Sequence, residues 1–179
     1  MKKEFIKLAG ILCAITFVAA LLLAGVNKIT SPKIAAAAEE AAKEAMEQLI
    51  PADNYDPAED MDDVYVATKE GEIVGYCVNV TVTGFGGDVK MMVGLDFAGT
   101  VKGIEILSHS ETAGLGAKAD TDEFKDRFKD KSPALSVVKT PTENASEVQA
   151  ITGATITSKA VAEGVKKAYD MVFEEGGSN

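Results

Sequence analysis

The longest uninterrupted run of apolar positions lies near the start of the chain, where residues 8–26 carry no charge. A helix of these nineteen residues is long enough to cross a hydrocarbon core of about 30 Å. The run is longer than the apolar region of a cleaved signal peptide, and Ala24-Gly25-Val26 is a poor match to a cleavage site. The pattern therefore predicts a retained anchor, with residues 1–30 forming a cytoplasmic tip and a transmembrane helix.

Three lysines set the expected orientation of this anchor. Lys2, Lys3 and Lys7 precede the apolar run. Basic residues beside a membrane helix usually remain in the cytoplasm. We therefore expect a single-pass protein of the cell (inner) membrane, with a cytoplasmic N-terminus and an extracytoplasmic main domain.

After the anchor, the spacing of apolar residues becomes helical and amphipathic. Ser31 and Pro32 are typical of the N-cap and the first residue of a helix. Apolar positions then recur every three or four residues up to Leu49, with charged residues between them, and Pro51 follows. This pattern predicts a membrane-proximal helix over residues 31–50, which either packs on the domain or forms a plain stalk.

Beyond residue 63 the apolar period changes to two, which is typical of β-strands. The second of four predicted strands places five apolar residues on one face, namely Val74, Tyr76, Val78, Val80 and Val82. The others begin near Val64, Val89 and Val101, and their short connections favour an antiparallel sheet.

The remaining segments complete the predicted fold. The acidic segment 51–63 and the polar segment 131–147 are typical of loops. Phe124 and Phe128 indicate a short helix. A last amphipathic helix follows Ser158, with apolar positions at Val161, Val165, Ala168 and Val172. The expected fold class is α+β: one N-terminal transmembrane helix and one domain, residues 51–179, with an antiparallel sheet flanked by helices.

Composition narrows the possible functions. The formal net charge is −10 and the first thirty residues are basic, so the domain beyond them carries the acidic excess. Such a surface repels nucleic acid and anionic lipid headgroups. His109 is the single histidine and no cysteine pair has ligand spacing, so we expect no metal site and no disulfide. We assign no catalytic residue, His109 included.

Two short segments carry residues that suit a ligand. The first, residues 108–116, combines Glu111 and Thr112 with glycines whose amides can approach a ring closely. The second, residues 152–158, places hydroxyls around Gly153 at the predicted start of the last helix, where free amides favour an anion. Together they suit an anion with an aromatic body. Serine and threonine at a helix start are equally typical of simple N-caps, and the residues alone leave that alternative open.

This pair of segments resembles the FMN-binding domain of the G subunit of Rnf-type ion-translocating electron transport complexes, and of the related C subunit of Na⁺-translocating NADH:quinone reductases. The similar motifs are Gly84-Phe85-Gly86-Gly87, Met92–Asp96, the loop from His109 to Gly116, and Thr152-Gly153-Ala154-Thr155. In this family a flavin transferase joins FMN through its phosphate to the last threonine of the final motif. The resemblance therefore implies covalent FMN, as a phosphoester on Thr155.

The resemblance also implies which residues contact the flavin. They are Glu111, Thr112, Gly114, Leu115, Gly116, Lys118, Thr152, Gly153, Ala154, Thr157 and Ser158. Within this set, Leu115 is expected against the flat face of the ring, whereas Lys118 either pairs with the phosphate or is solvated. Ala113 stands where the family commonly has proline, and Gln149 where it often has aspartate.

The implied function is that of a non-catalytic, electron-carrying subunit of a membrane-bound ion-translocating ferredoxin:NAD oxidoreductase complex. Its expected partners are the other subunits of that complex and the flavin transferase. Three alternatives stay open: the equivalent subunit of a Na⁺-translocating NADH:quinone reductase, a free-standing extracellular flavoprotein, and an exported module that binds a small ligand noncovalently.

Overall fold

The computed structural model describes residues 2–59 and 61–175. The chain divides into two compact units, one ending at Glu40 and one beginning at Ala41. In chain order the elements are α1 (Lys2–Leu49), β1 (Asn54–Pro57), β2 (Val64–Lys69), β3 (Glu72–Thr83), β4 (Asp88–Asp96), β5 (Val101–His109), a 3₁₀ turn (Gly116–Asp120), α2 (Asp122–Lys125), a second 3₁₀ turn (Asp126–Phe128), β6 (Ser136–Val138), β7 (Glu147–Gln149), α3 (Thr155–Asp170) and a π-helical turn (Met171–Glu175).

A single helix, α1, occupies the region for which the sequence predicts an anchor and then a second helix. The predicted helix start at Ser31 is wrong, because Pro32 lies inside a continuous helix. An interior proline removes one backbone hydrogen bond, but the alanines at 35–38 are the strongest helix formers. By length and composition this helix can cross a membrane, and its most apolar stretch has a mean hydropathy of 2.5.

Five antiparallel strands form the main sheet, in the order β1-β2-β3-β4-β5. The four strands expected from the period of two are confirmed. Strand β1 lies in the acidic segment that the sequence predicts as a loop. It is a short, mostly exposed edge strand. Because it buries little, it lacks the alternation of apolar residues by which strands are predicted. The predicted polar loop between 131 and 147 likewise contains β6, which pairs in parallel with β7.

One face of the sheet packs against α3. The apolar positions predicted for this helix, Val161, Val165, Ala168 and Val172, are all buried in that core. Phe124 and Phe128 of the predicted short helical segment lie in the same core, with their ring centroids 5.2 Å apart. Burial of this apolar surface holds α3 against the sheet.

The other face of the sheet packs against the end of α1. The buried residues of this second cluster are Ala45, Met46, Ile50, Ala67, Cys77 and Met92. Val74 also contacts it, although the sequence places Val74 with Tyr76 on the opposite face. A β-bulge at Ala67/Thr68 makes Val74 an extra residue in β3, and this moves its side chain to the second face.

Candidate functional site

A cavity of about 320 Å³ lies where three segments meet: the turn between β3 and β4, the loop after β5, and the start of α3. Its lining residues are Phe85, Glu111, Thr112, Leu115, Gly116, Gly153, Ala154, Thr155, Ile156 and Thr157. The two segments that the sequence singles out therefore meet at one cavity, although 46 positions separate Glu111 from Thr157.

Four of the predicted contact residues do not line this cavity: Gly114, Lys118, Thr152 and Ser158. The side chains of Lys118 and Thr152 are exposed, whereas Ser158 is buried beneath the start of α3. Gly114 has a φ of +78° and shapes the turn that carries Leu115. These four residues are therefore absent from the cavity lining.

Two lining residues, Phe85 and Ile156, were not among the predicted contacts. Their side chains are 71% and 56% exposed. Phe85 stands among the glycines of the β3–β4 turn, and Ile156 lies between two threonines. Each is a large apolar residue flanked on both sides by glycines or threonines, and that is the signal by which the sequence could have identified them.

The start of α3 is open toward the cavity. The residue in the N-cap position is Ala154, and among the described residues no side chain caps this helix end. The open alternative, in which a hydroxyl at this site serves as an ordinary N-cap, therefore does not apply. The first amides of an uncapped helix lack intrahelical partners, and with the helix dipole they favour an anion.

The backbone before α3 is fixed by one internal hydroxyl and one glycine. Ser158 Oγ accepts a hydrogen bond from the amide of Ile151 and donates one to the carbonyl of Ala154, both at 2.9 Å. Gly153 has a φ of +81°, a left-handed conformation that favours glycine. The resulting turn brings Thr155, the first helical residue, to the cavity.

The four hydroxyls of residues 152–158 differ in their access to the cavity. Those of Ser158 and Thr157 are buried, and Thr157 Oγ1 donates to Glu111 Oε2 at 2.8 Å. Thr152 is exposed but lies outside the cavity lining. Thr155 is half-buried and lines the cavity. Among these four, Thr155 alone combines solvent access with a place in the lining.

The carboxylate of Glu111 connects all three segments of the site. Its Oε1 accepts hydrogen bonds from the amides of Phe85, at 2.7 Å, and Gly86, at 3.0 Å, while Oε2 accepts the Thr157 hydroxyl. Glycine at 84 and at 116 provides the space for it, because a Cβ at either position would overlap the Glu111 side chain.

Opposing influences act on the ionisation of Glu111. Burial is the largest of them and by itself raises the pKa of this carboxyl. The hydrogen bonds from Gly86, Thr157 and Phe85, together with the field of His109, favour the charged form and bring the pKa below its ordinary value. Glu111 is therefore ionised at neutral pH and places a negative charge in the cavity wall.

A second, more open depression of about 560 Å³ lies between the β4–β5 turn, residues 130–134 and the end of α3. None of the predicted site residues is among its lining residues. The candidate chemistry is therefore concentrated in the smaller cavity.

Two family models match the chain. The family model described as the FMN-binding domain matches residues 84–170, a range that contains every residue of the smaller cavity's lining. A second family model, described as the RnfG N-terminal region, matches residues 1–49.

Three curated relatives are similar over most of their length. The G subunit of the proton-translocating ferredoxin:NAD(+) oxidoreductase complex of Clostridium ljungdahlii is 40% identical over 87% of this chain and 85% of its own. The G subunit of the Na(+)-translocating ferredoxin:NAD(+) oxidoreductase complex of Acetobacterium woodii is 38% identical over 91% and 89%, respectively. The G subunit of the ion-translocating oxidoreductase complex of Methanosarcina acetivorans is 35% identical over 98% of both chains.

Two solved structures share the fold. The C subunit of the Na(+)-translocating NADH-quinone reductase of Parabacteroides distasonis has a TM-score of 0.55 and 27% identity, over 65% of this chain and 63% of that one. NqrC of Shewanella oneidensis has a TM-score of 0.53 and 17% identity, over 68% and 66%. In each case the match spans roughly two thirds of the solved chain.

Proposed function

The chain belongs to the G subunits of Rnf-type ion-translocating ferredoxin:NAD(+) oxidoreductase complexes, and from that premise we propose that it relays electrons through an FMN bound covalently at Thr155. The observation that supports this most directly is the cavity itself. Its lining residues all fall within the range matched by the FMN-binding domain.

The cavity offers separate surroundings for the two ends of FMN. The uncapped start of α3 supplies amides and a positive dipole end for the phosphate. Phe85, Leu115 and Ile156 are exposed apolar side chains around the cavity, and they suit the flat isoalloxazine ring. Bound FMN supplies the electron storage, while these residues hold the ring and limit its contact with water.

Thr155 is favoured as the attachment residue by the state of the neighbouring hydroxyls. Thr157 and Ser158 already donate to Glu111 and to the Ala154 carbonyl and are buried, so a transferase cannot reach them without unfolding the helix start. Thr152 is accessible but lies outside the lining. A flavin phosphate on Thr155 would lie at the first turn of α3, where its remaining negative charge is stabilised.

We propose that α1 anchors the chain in the cell membrane as its single span, with the basic end in the cytoplasm and the flavin domain outside. The basic residues ahead of the apolar run support this orientation. Maturation then requires a flavin transferase, and operation requires the other subunits of the complex. The relatives named for H⁺ and for Na⁺ translocation are 40% and 38% identical, which fits a subunit that carries electrons without selecting the ion.

The test is the intact mass of the full-length protein after unfolding, produced with and without a flavin transferase. We expect a mass gain of FMN minus water only with the transferase, lost in Thr155→Val and kept in the matched control Thr152→Val. A gain that persists in Thr155→Val would show that another hydroxyl carries the flavin. A flavin that separates on unfolding would support noncovalent binding instead.

Equivalence to the C subunit of a quinone reductase is the second candidate, because such a subunit from Parabacteroides distasonis shares the fold at 27% identity. Co-purification from the native host separates the two functions. A complex that reduces NAD with ferredoxin supports the first, and a complex that reduces quinone with NADH supports the second.

A further inference from the structure

The contacts of Glu111 assign it a role that rests on the proposed function and goes beyond binding the flavin. We propose that Glu111 is a positioning residue: its carboxylate holds the β3–β4 turn and the start of α3 together, so that the cavity is formed before any flavin is attached. The sequence instead suggests a direct contact between Glu111 and the cofactor.

The acceptor capacity of Glu111 is largely used by the protein. A carboxylate has about four lone-pair sites. Three of them receive hydrogen bonds of 2.7 to 3.0 Å, from the amides of Phe85 and Gly86 and from the hydroxyl of Thr157. The Glu111 amide donates to His109 Nδ1 at 3.2 Å, which fixes the backbone that carries the carboxylate. Little capacity is left for a ligand.

The chain is shaped around this side chain on several sides. A Cβ at Gly84 or Gly116 would overlap the Glu111 side chain, and one at Gly86 would overlap the carbonyl of Ser110. The β3–β4 turn therefore approaches the loop after β5 closely only because it lacks side chains at these points. Glu111 fills the space that the glycines leave, with 9% of its surface exposed.

The hydrogen bonds to the Glu111 carboxylate all come from neutral donors. The salt bridges found among residues 2–59 and 61–175 do not include it. A buried charge without its hydrogen bonds is costly, so loss of any one donor weakens the whole arrangement. Beside a bound flavin, the same negative charge in the cavity wall would oppose the addition of electrons and so lower the flavin's reduction potential.

The first experiment measures amide hydrogen exchange in full-length protein made without the transferase. In Glu111→Ala, the amides of Phe85 and Gly86 should exchange at least about tenfold faster, because they lose their acceptor. Glu111→Gln keeps an acceptor oxygen and should change them less. The matched control is Glu105→Gln on β5, whose carboxylate pairs with Lys125 at 2.6 Å outside the cavity. Unchanged exchange in Glu111→Ala would overturn the proposal.

The second experiment repeats the comparison with the transferase present. We expect Glu111→Ala to acquire flavin about tenfold more slowly. Glu111→Gln should keep its flavin but show a more positive reduction potential, a shift that a purely structural role would not produce and that Glu105→Gln should lack. Attachment to Glu111→Ala at the wild-type rate would contradict the proposal. Absence of flavin from the wild-type protein would contradict the proposed function, whereas hydrogen exchange decides the role of Glu111 in either case.

Discussion

Both faces of the five-stranded sheet have an apolar centre, but different chemistry lies at their edges. The face under α3 continues into the cavity, and the buried polar side chains of the described residues, Glu111, Thr157 and Ser158, all lie there. The face under the end of α1 is closed by alanine, methionine and isoleucine around a buried thiol. Met91 and Met92 are neighbours in β4 and both are 0% exposed. Met91 lies on the face under α3, and Met92 lies on the face under the end of α1.

This contrast indicates that the residues needed for stability and the residues around the cavity are partly separable in this domain. The buried side chains on the α1 face do not line the cavity, whereas the core on the α3 face includes residues at the start of the helix that carries Thr155. Substitutions of equal size on the two faces should therefore have equal effects on stability and unequal effects on flavin attachment.

The largest effects are expected from the two methionines. Met91→Ala and Met92→Ala each remove a fully buried side chain and should each lower the free energy of unfolding by about 2–5 kcal/mol. Met91 packs beside Gly164 of α3, so its loss should also slow flavin attachment. Denaturant unfolding and the intact-mass assay measure the two effects in detergent-solubilised protein. Equal loss of attachment in both variants would argue against the comparison.

Acidification should act on the α3 face through Glu111. Because its folded pKa is depressed, the stabilisation is present above the ordinary value of 4.5 and is lost as the pH falls through the folded pKa. Hydrogen bonds to a charged group are typically worth about 1.5–3 kcal/mol. Below pH 4.5 the unfolding free energy of the wild type should therefore approach that of Glu111→Gln. Parallel pH profiles for the two proteins would contradict this expectation.

A matched pair of glycines tests the turn before α3. Gly153 and Gly71 have φ values of +81° and +84°, so alanine at either position should cost about 1–2 kcal/mol. Gly71 lies in the β2–β3 turn, with no atom within 4 Å of an added Cβ, whereas a Cβ at Gly153 would lie 3.2 Å from Leu115. Only Gly153→Ala should slow flavin attachment. Slower attachment in Gly71→Ala would indicate a general effect of lower stability.

The smallest effect is expected at Cys77, on the α1 face. Burial raises the pKa of this thiol to about 12, so almost none of it is thiolate at neutral pH. Iodoacetamide should leave Cys77 unmodified in the folded protein and modify it after unfolding, as peptide mass mapping would show. Modification of the folded protein at the rate of the unfolded one would mean that this face opens readily.

Much of the fold could be predicted from local periodicity. Strands β2 to β5 and helix α3 carry apolar residues spaced largely at the period of each element, and that spacing is visible in the sequence. Val74 could not be placed, because its side depends on a bulge set by the pairing of β2 with β3. The edge strand β1 and the continuity of α1 through Pro32 were also not predicted. The local residues favour a loop at the first point and a helix start at the second.

The two segments of the candidate site were predictable from the sequence, but the contacts between them were not. Glycines and hydroxyls near Thr155 are visible in the sequence, because a ligand that approaches the backbone requires them locally. The partners of Glu111 are not, because Phe85 and Thr157 lie 26 and 46 positions away and meet it only in the folded sheet. A glutamate in a predicted ligand-binding loop therefore suggested a contact with the cofactor, and its hydrogen bonds to residues distant in the sequence were not foreseen.

The last turns of α1 also determine where the flavin domain can be separated from its anchor. Ala45, Met46 and Ile50 are part of the domain's own interior. A soluble version that starts at residue 51 would therefore expose Cys77 and Met92. Such a protein should self-associate through the exposed apolar face. A version that starts at Ala41 retains that cover and should elute as a monomer in size-exclusion chromatography.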